Sequence, residues 1–456
     1  DVFFPVQMDH VLVNEAYRVW HGASHLDDAR QAPINHEHFD LYAQGPTTDS
    51  RFQPGEHIPG LNIGGWFDAG DFDLRTQSQY GTVLSLVRAW EAFKPTRDET
   101  SVDQQRRRVE LHQPDGVPDI LQQIEHGTLM LIAQHRVFGH AIPGIVEPDL
   151  GQYTHLGDAV TKTDGKVDAR GTGGDDRWAF TTATTALDYG SAAALAAASR
   201  ALRGYRDALA DECLAAAKRA WDKEKARSPN LFRFGNTTGG EPASEELRAA
   251  VELLATTHEP RYAQAIEALW PVVDEKFEQH AIDALRAATL MPPAYVARLR
   301  ERANRFRDER AKQPPDSPLN NPFGVPITRG GWAGNGVVVW FGTIAYYLHA
   351  TFPDLFSGRE VLLGLEYLHG RHPGSDISFV SGVGAESKAV AYGNNRADFS
   401  FIAGGVVPGV LILKPDYPEN KEDWPFLWGE NEYVIGLGAS YLFLALAGNA
   451  LLGESP

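Results

Sequence analysis

Residues 181–202 read TTATTALDYGSAAALAAASRAL, and this stretch decides the fold class. It is rich in Ala and Gly, and residues 333–350 and 437–452 are likewise apolar nearly all round. A helix without a polar face has to be buried on all sides. These three stretches therefore predict inner helices that other elements surround.

Other segments have the periodicity of helices with a polar face. Apolar residues recur at helical spacing in three of them, residues 80–90, 209–220 and 262–273. The last two carry dense charge on the opposite face, which is typical of outer helices. Pro118, Pro260 and Pro293 stand where helices would begin. Since no alternating strand pattern of useful length is present, the sequence predicts an all-α protein with about ten to twelve helices in two layers.

Long stretches between the predicted helices are rich in Gly, Pro, Asp and aromatic residues: 31–73, 143–176, 313–331 and 370–428. Loops of such length in a compact domain are usually functional or disordered, and aromatic side chains argue against disorder. We expect ordered loops that build a cleft at one end of a helical barrel. Because no Ser/Gly linker divides the chain, a single domain over residues 1–456 is the simpler interpretation.

The charge balance limits the classes of partner. The chain has 42 Lys and Arg against 60 Asp and Glu, a formal net charge of −18. This charge repels phosphate backbones and anionic lipid, so neither nucleic acid nor a membrane is an expected partner. The apolar run at 437–452 is shorter than the ~20 residues of a bilayer span, and no signal peptide is visible. The single cysteine, Cys213, excludes an intrachain disulfide and a cysteine-cluster metal site.

The first chemical motif is GGWFDAGD at residues 64–71. Asp68 and Asp71 lie three residues apart on a glycine-punctuated turn beside Trp66 and Phe67, so both carboxylates can point at one small volume. Each then raises the cost of ionising the other, as in pairs that hold and activate a water molecule. The alternative is a turn in which the Asp side chains cap backbone N–H groups.

A second motif, DWPFLWGENE at residues 423–432, directly precedes an apolar helix expected from Tyr433. The positive end of the helix dipole stabilises carboxylates at such a place. Glu430 and Glu432 are therefore either reacting acids or plain helix stabilisers.

Two further segments, SFVSGVG at 378–384 and YGNNR at 392–396, supply hydroxyls, amides and an Arg. These groups suit sugar hydroxyls or a carboxylate, whereas the Gly-Lys-Ser ending of a phosphate loop is missing. His36 and His38 are weak candidates for a metal, and the acids of 158–176 are compatible with calcium. Satisfied surface His residues and solvated acids are the simpler interpretations.

Together these motifs resemble glycoside hydrolase family 9, the endoglucanase-type inverting enzymes built on an (α/α)6 barrel. Residues 64–71 look like the family's GGWxDAGD segment, and residues 378–384 match the start of its first signature. Asp423, Trp428 and Glu432 reproduce the D-x4-aromatic-x3-E spacing of its second signature. Other similar segments are GVPDIL at 116–121 and GRHP at 370–373.

The resemblance implies roles for individual residues. Asp71 is the expected general base with Asp68 helping to hold the water, and Glu432 is the expected general acid with Asp423 as its companion. An inverting glycosidase needs such an acid and base about 6.5–9.5 Å apart. Substrate contacts are expected from the aromatic and polar residues of the same segments: Trp66, Phe67, His372, Tyr392, Arg396, Trp424 and Trp428.

The resemblance also implies a β-linked oligo- or polysaccharide substrate, no required cofactor, and secretion or a periplasmic location. A structural calcium ion is compatible with it. The chain departs from the family at residues 391–396, where AYGNNR replaces a Pro-His-His-Arg run and retains only Arg396. Ser24 stands where one subgroup has a zinc-binding Cys, and the N-terminal immunoglobulin-like domain of that subgroup is not visible.

These features favour an endo-β-1,4-glucanase-like hydrolase that acts on a β-glucan or related plant polysaccharide. An exo-acting β-glucosidase or glucosaminidase of the same fold is the nearest alternative. A carbohydrate-binding protein on a catalytically retired scaffold is an alternative of another class, motivated by the replaced His-His-Arg run. A sugar epimerase or polysaccharide lyase would use His or Tyr instead of these acids.

Overall fold

The computed structural model describes residues 3, 12–13, 29–38, 41–69, 73–146, 177–312, 314, 317–327, 334–390, 403–409 and 431–453. The chain divides into two compact units, Phe3–Thr256 and Thr257–Pro456. The described part of the first unit contains five helices: α1 (Thr76–Phe93), α2 (Asp119–Phe138), α3 (Thr185–Ala201), α4 (Asp207–Ala226) and α5 (Pro242–Thr257).

Helix α3 is the inner helix of the first unit. All of its residues except Arg200 are buried, and it packs against α1, α2 and α4. Gly190 allows α1 to approach, because a Cβ atom there would lie 2.5 Å from Cζ of Tyr80. The inner position predicted for residues 181–202 is confirmed.

Helix α4 has the single buried face predicted for an outer helix. Its buried residues include Cys213, Ala216 and Ala220, and its Lys and Asp residues lie mostly outside this face. Burial raises the pKa of the Cys213 thiol to about 12. Cys213 is therefore a core residue, as the sequence predicts.

The first unit also contains short strands that the sequence analysis did not predict. They are β1 (Leu12–Val13), β2 (Arg30–Gln31), β3 (Glu37–His38), β4 (Tyr42–Ala43), β5 (Leu74–Arg75), β6 (Thr100–Asp103), β7 (Arg108–Leu111), β8 (Gly144–Val146) and β9 (Trp178–Phe180). In the described part of this unit, these strands form three small sheets with the orders β1-β7-β6, β2-β9-β8-β5 and β3-β4. Strands of two to four residues are too short for alternation to reveal them.

The described part of the second unit contains seven helices: α6 (Pro260–Ala268), α7 (Trp270–Glu275), α8 (Phe277–Ala287), α9 (Pro293–Ala311), α10 (Gly334–Thr351), α11 (Arg359–Leu368) and α12 (Ile435–Leu452). Helix α10 packs against α8, α11 and α12. Helices α6 and α9 begin at a proline and α2 begins directly after Pro118, so the predicted helix starts are confirmed.

The single helix predicted over residues 262–273 is wrong, because α6 and α7 are separate helices on either side of Leu269. Pro271 lies in the first turn of α7 and has no N–H to donate to a carbonyl of the preceding turn. The apolar face is nevertheless continuous, since its residues Tyr262, Ile266 and Val273 are buried.

Helices α10 and α12 are less enclosed than the sequence predicts. Val337 and Trp340 of α10 are 40% and 37% exposed, and 56% of α12 is buried. Complete burial was therefore the wrong expectation for these two helices. By length and composition, α12 is the one described helix that could cross a membrane, but its contacts with α10 and α11 give its apolar side protein neighbours.

We predict that Gly127→Ala destabilises the protein. A Cβ atom at this position of α2 would lie 2.2 Å from Cη2 of Trp66 and 2.8 Å from Cγ2 of Val83. Overpacking of a core costs about 1–3 kcal/mol, which exceeds the gain of about 1 kcal/mol in helix propensity. The expected result is a lower Tm in thermal unfolding.

Gly81→Ala is the matched control. Gly81 lies within α1, and no atom lies within 4 Å of a Cβ added there. This variant should melt at or above the wild-type temperature. A Gly127→Ala protein as stable as Gly81→Ala would contradict the packing of Trp66 on α2.

Candidate active site

The turn at residues 64–69 docks directly on α2. Gly64 and Gly65 have φ angles of +64° and +84°, and a Cβ at Gly64 would lie 2.3 Å from the carbonyl oxygen of His126. The Gly65 N–H donates to that same oxygen at 3.0 Å, and His126 Nε2 lies 2.7 Å from the Gly65 oxygen. Both glycines are thus needed for the turn to lie against the helix.

Trp66 and Phe67 belong to the core of the first unit. Both side chains are 0% exposed. Trp66 Nε1 donates to Gln123 Oε1 at 3.0 Å, and the guanidinium of Arg177 lies 4.7 Å from the centre of the Phe67 ring. Protein atoms thus cover both rings, and the contact of these two aromatic residues with a saccharide stays a prediction.

Asp68 follows these aromatic residues and is also buried, at 5% exposure. Ser78 Oγ donates to Asp68 Oδ2 at 2.9 Å, and Arg75 Nη1 lies 3.5 Å from the same oxygen. Burial raises the pKa of Asp68 well above its ordinary value, and the negative charge of Asp73 adds to this effect. Arg75 and Ser78 oppose the shift without removing it. Asp68 therefore favours its neutral, protonated form.

Asp73 is a component of the site that the sequence analysis missed. Its side chain accepts a hydrogen bond from Tyr42 Oη, and its negative charge helps to raise the pKa of Asp68. Asp73 is 2% exposed, and Tyr42 is fully buried. The available signal was the third acid in the segment DAGDFD, which extends the motif by two residues.

Asp71 lies outside the described residues, between these two acids in the sequence. It is three residues after Asp68 and two before Asp73.

In the second unit, Glu432 is buried at 5% exposure, between the buried residues Asn431 and Tyr433. Helix α12 begins three residues later, at Ile435, rather than at Tyr433. Glu432 thus lies just before the helix, as its motif predicts. Its companion residues Asp423, Trp424 and Trp428 are outside the described residues.

The segment after α11 is held by its own backbone hydrogen bonds. Ser378 N–H donates to Glu386 O at 3.0 Å and Lys388 N–H donates to Ser378 O at 2.7 Å. Ser381 N–H reaches Gly405 O at 2.9 Å, which ties the segment to residues 403–409. Tyr392 and Arg396 lie beyond the described part of this segment.

His372 is packed inside this segment. Its ring stacks on Phe379 with centroids 4.0 Å apart, and its nitrogens lie 2.8 Å from Ile377 O and 3.2 Å from Pro373 O. Burial lowers the pKa of His372. Both nitrogens face backbone carbonyls and the residue is 5% exposed, and the saccharide contact of this side chain stays a prediction.

His36, one of the weaker candidates for a metal ligand, packs against an aromatic ring. His36 contacts Trp178 edge-on, with centroids 4.4 Å apart, and burial lowers its pKa. Within the described ranges, no three His, Cys, Asp or Glu side chains are grouped as a metal site requires. The acidic segment 158–176 lies outside those ranges.

Comparison with known proteins identifies the family to which the chain belongs. The family model described as glycosyl hydrolase family 9 matches residues 2–398. Endoglucanase D of Acetivibrio thermocellus is 23% identical over 443 residues, which is 89% of this chain and 64% of that protein. The chain thus spans a little under two thirds of the length of this relative.

Solved structures are similar over nearly the whole chain. A crystal structure of a metagenome-derived glycoside hydrolase family 9 endoglucanase has a TM-score of 0.74 at 22% identity, and the match covers 98% of this chain and 78% of that one. A structure of AaCel9A in complex with cellobiose-like isofagomine has a TM-score of 0.73 at 20% identity. This match covers 99% of this chain and 82% of that one. Since the family model matches most of its residues, this protein belongs to glycosyl hydrolase family 9.

Proposed function

We propose that this protein is an inverting endo-acting hydrolase of β-linked glucans, built on an (α/α)6 barrel. The observation that carries the proposal is the family match, which includes the sequence segment of Asp68 and Asp71. Two similar proteins support the substrate class. One relative is called an endoglucanase, and one similar structure is described as a complex with a cellobiose-like molecule. The family match crosses the boundary between the two units, which supports one catalytic domain.

The proposed reaction uses one carboxylate and one carboxylic acid. Asp71 accepts a proton from the attacking water, and Glu432 protonates the leaving glycosidic oxygen on the opposite face of the sugar. Glu432 lies beyond residue 398, where the family match ends, so its assignment depends on the spacing from Asp423 and Trp428. Burial of Glu432 is consistent with an acid that must carry a proton at the start of the reaction.

Asp68 supports the base in this proposal. A neutral Asp68 can donate a hydrogen bond, and it leaves Asp71 with less negative charge nearby than two ionised carboxylates would. Saccharide contacts are proposed for the remaining candidates, Tyr392, Arg396, Trp424 and Trp428. No cofactor is required for this chemistry, and secretion or a periplasmic location is part of the proposal.

Asp71→Asn and Glu432→Gln should each lower kcat about 10²–10⁴-fold, because each removes one proton-transfer group. Release of reducing ends from mixed-linkage glucan and from cellulose oligomers measures the effect. Glu432→Gln should recover much of its activity on an aryl glycoside with a good leaving group, which needs little protonation. The same substrate should not rescue Asp71→Asn.

Glu430→Gln is the matched control, since it makes the same change two residues earlier. It should keep kcat within a few-fold of wild type. If Glu430→Gln abolished activity and Glu432→Gln did not, the acid would be Glu430.

The mode of attack is tested on a soluble substituted cellulose. An endo-acting enzyme should lower the viscosity early, while few reducing ends have been released. Release of monosaccharide without loss of viscosity would favour an exo-acting enzyme, and chitosan oligomers in the panel would identify a glucosaminidase. Binding to glucan without any turnover would support the retired scaffold and contradict the proposal.

A further inference from the structure

Residues of α8, α9 and α10 line an open groove in the second unit. Its volume is about 550 Å³. Phe277 at the start of α8 and Phe306 of α9 are the buried aromatic residues of its lining, with ring centroids 5.3 Å apart. The exposed aromatic residue is Trp340, in the second turn of α10, and we call this cleft the Trp340 groove. None of its described lining residues belongs to the proposed catalytic set.

Trp340 gives the groove an uncovered aromatic ring. The residue is 37% exposed, although Trp residues are on average highly buried. Val337, three residues earlier on the same side of α10, is 40% exposed, so the apolar surface extends along the helix. Among the described residues, no other aromatic ring contacts the indole and no Lys or Arg side chain lies over it. The ring is therefore available to a ligand.

The rim of the groove supplies hydrogen-bonding groups. Glu275, Glu278 and Gln279 all line it, and all three are exposed. Within the described part of the chain, their side chains form no hydrogen bond and no ion pair. A carboxylate accepts hydrogen bonds, and the Gln amide both donates and accepts them. A polar ligand could thus use these groups without breaking a contact inside the protein.

Arg302 of α9 adds a donor that is held in place. It is 8% exposed, and its guanidinium lies 4.8 Å from the centre of the Phe277 ring. Its Nε donates to the Asp274 carbonyl oxygen at 3.0 Å, and its Nη1 donates to Glu309 Oε2 at 3.4 Å. A side chain fixed in this way loses little conformational entropy when a ligand binds beside it.

The charges around the groove limit the class of ligand. Its acidic residues outnumber its basic residues by one: Glu275, Glu278 and Glu309 against Lys276 and Arg302. An anionic ligand is repelled by this balance and by the net charge of −18 of the chain. A second copy of the chain carries the same net charge, which opposes its approach. A neutral ligand that combines an apolar face with hydroxyl groups is the best fit.

We propose that the Trp340 groove binds a segment of a neutral β-linked glucan. The choice of glucan rests on the proposed function. A β-linked glucosyl ring carries C–H bonds on its faces and hydroxyl groups around its edge. One face would lie on the Trp340 ring, while the hydroxyl groups would donate to Glu278 and exchange hydrogen bonds with Gln279. An aromatic platform flanked by a few polar groups is a common design of ligand sites. Because a polymer could occupy this groove and the reacting site together, its apparent affinity would rise.

Trp340→Ala is the direct test, with Trp90→Ala as its matched control. Trp90 of α1 is also a partly exposed helical Trp, but Lys94 Nζ lies 4.6 Å from the centre of its ring. Retardation in native gels that contain soluble mixed-linkage glucan measures the affinity for the polymer. Trp340→Ala should weaken this affinity about 3–10-fold, since the stacked ring is lost. Trp90→Ala should run as wild type does.

A double variant, Glu278→Ala with Gln279→Ala, tests the rim without touching the core. Both side chains are exposed, so its Tm should equal that of wild type. We expect its affinity for the glucan to fall about 3-fold, because hydrogen bonds to hydroxyl groups are lost. Glu301→Ala is the control, since this exposed residue of α9 lies outside the groove. It should leave both Tm and affinity unchanged.

Hydrolysis of a short substrate separates the groove from the reacting site. Trp340→Ala should keep its kcat/KM on an aryl cellobioside within about 2-fold of wild type, while its KM for the polymer rises. Wild-type affinity for the polymer in both Trp340→Ala and the double variant would overturn the proposal. So would a change of oligomeric state in Trp340→Ala with unchanged glucan affinity, which would identify a protein partner instead. If glucan retards wild type through Trp340 but is not hydrolysed, the proposed function fails and the binding groove stands.

Discussion

The hydrogen bond from the Asp68 N–H to the Asp73 carbonyl oxygen is the contact on which the candidate site depends. Both side chains are buried beside it, and burial raises the pKa of Asp68. Asp68 and Asp73 flank Asp71 in the sequence. A buried Asp68 that favours its neutral form thereby precedes in the sequence the residue proposed to remain ionised, and such a difference is a common way to separate the roles of neighbouring carboxyl groups.

This contact is supported by the packing of the first unit. Gly64 and Gly65 bring the turn against α2, and Trp66 fills the space left by Gly127 on that helix. Tyr42 reaches Asp73 from the sheet side, and Ser78 reaches Asp68 from α1. The aromatic residues of the motif are therefore part of the core, and their packing supports the backbone that leads to Asp68.

The sequence predicted the parts of the fold that depend on long apolar patterns. Residues 181–202 lack a polar face, and α3 is accordingly buried. Helix breaks, short strands and individual side-chain contacts were harder to predict. Pro271 interrupts a periodic pattern that appears continuous, and strands as short as β5 show no alternation. The roles of Trp66 and Tyr42 depend on which side of the turn faces α2, and this cannot be deduced from composition or spacing. Asp73 was missed for the same reason, because its partners come from β4 and from the start of its own turn.

The central claim is that a carboxylate activates water on one face of a sugar while an acid acts on the other. The stereochemistry of the first product tests it most directly. Wild-type protein is mixed with a β-linked cello-oligosaccharide, and the anomeric protons of the new reducing end are followed by NMR before mutarotation. With inversion, the α-anomer is released first. Initial release of the β-anomer would contradict it, because retention requires a covalent intermediate and a different arrangement of the acids.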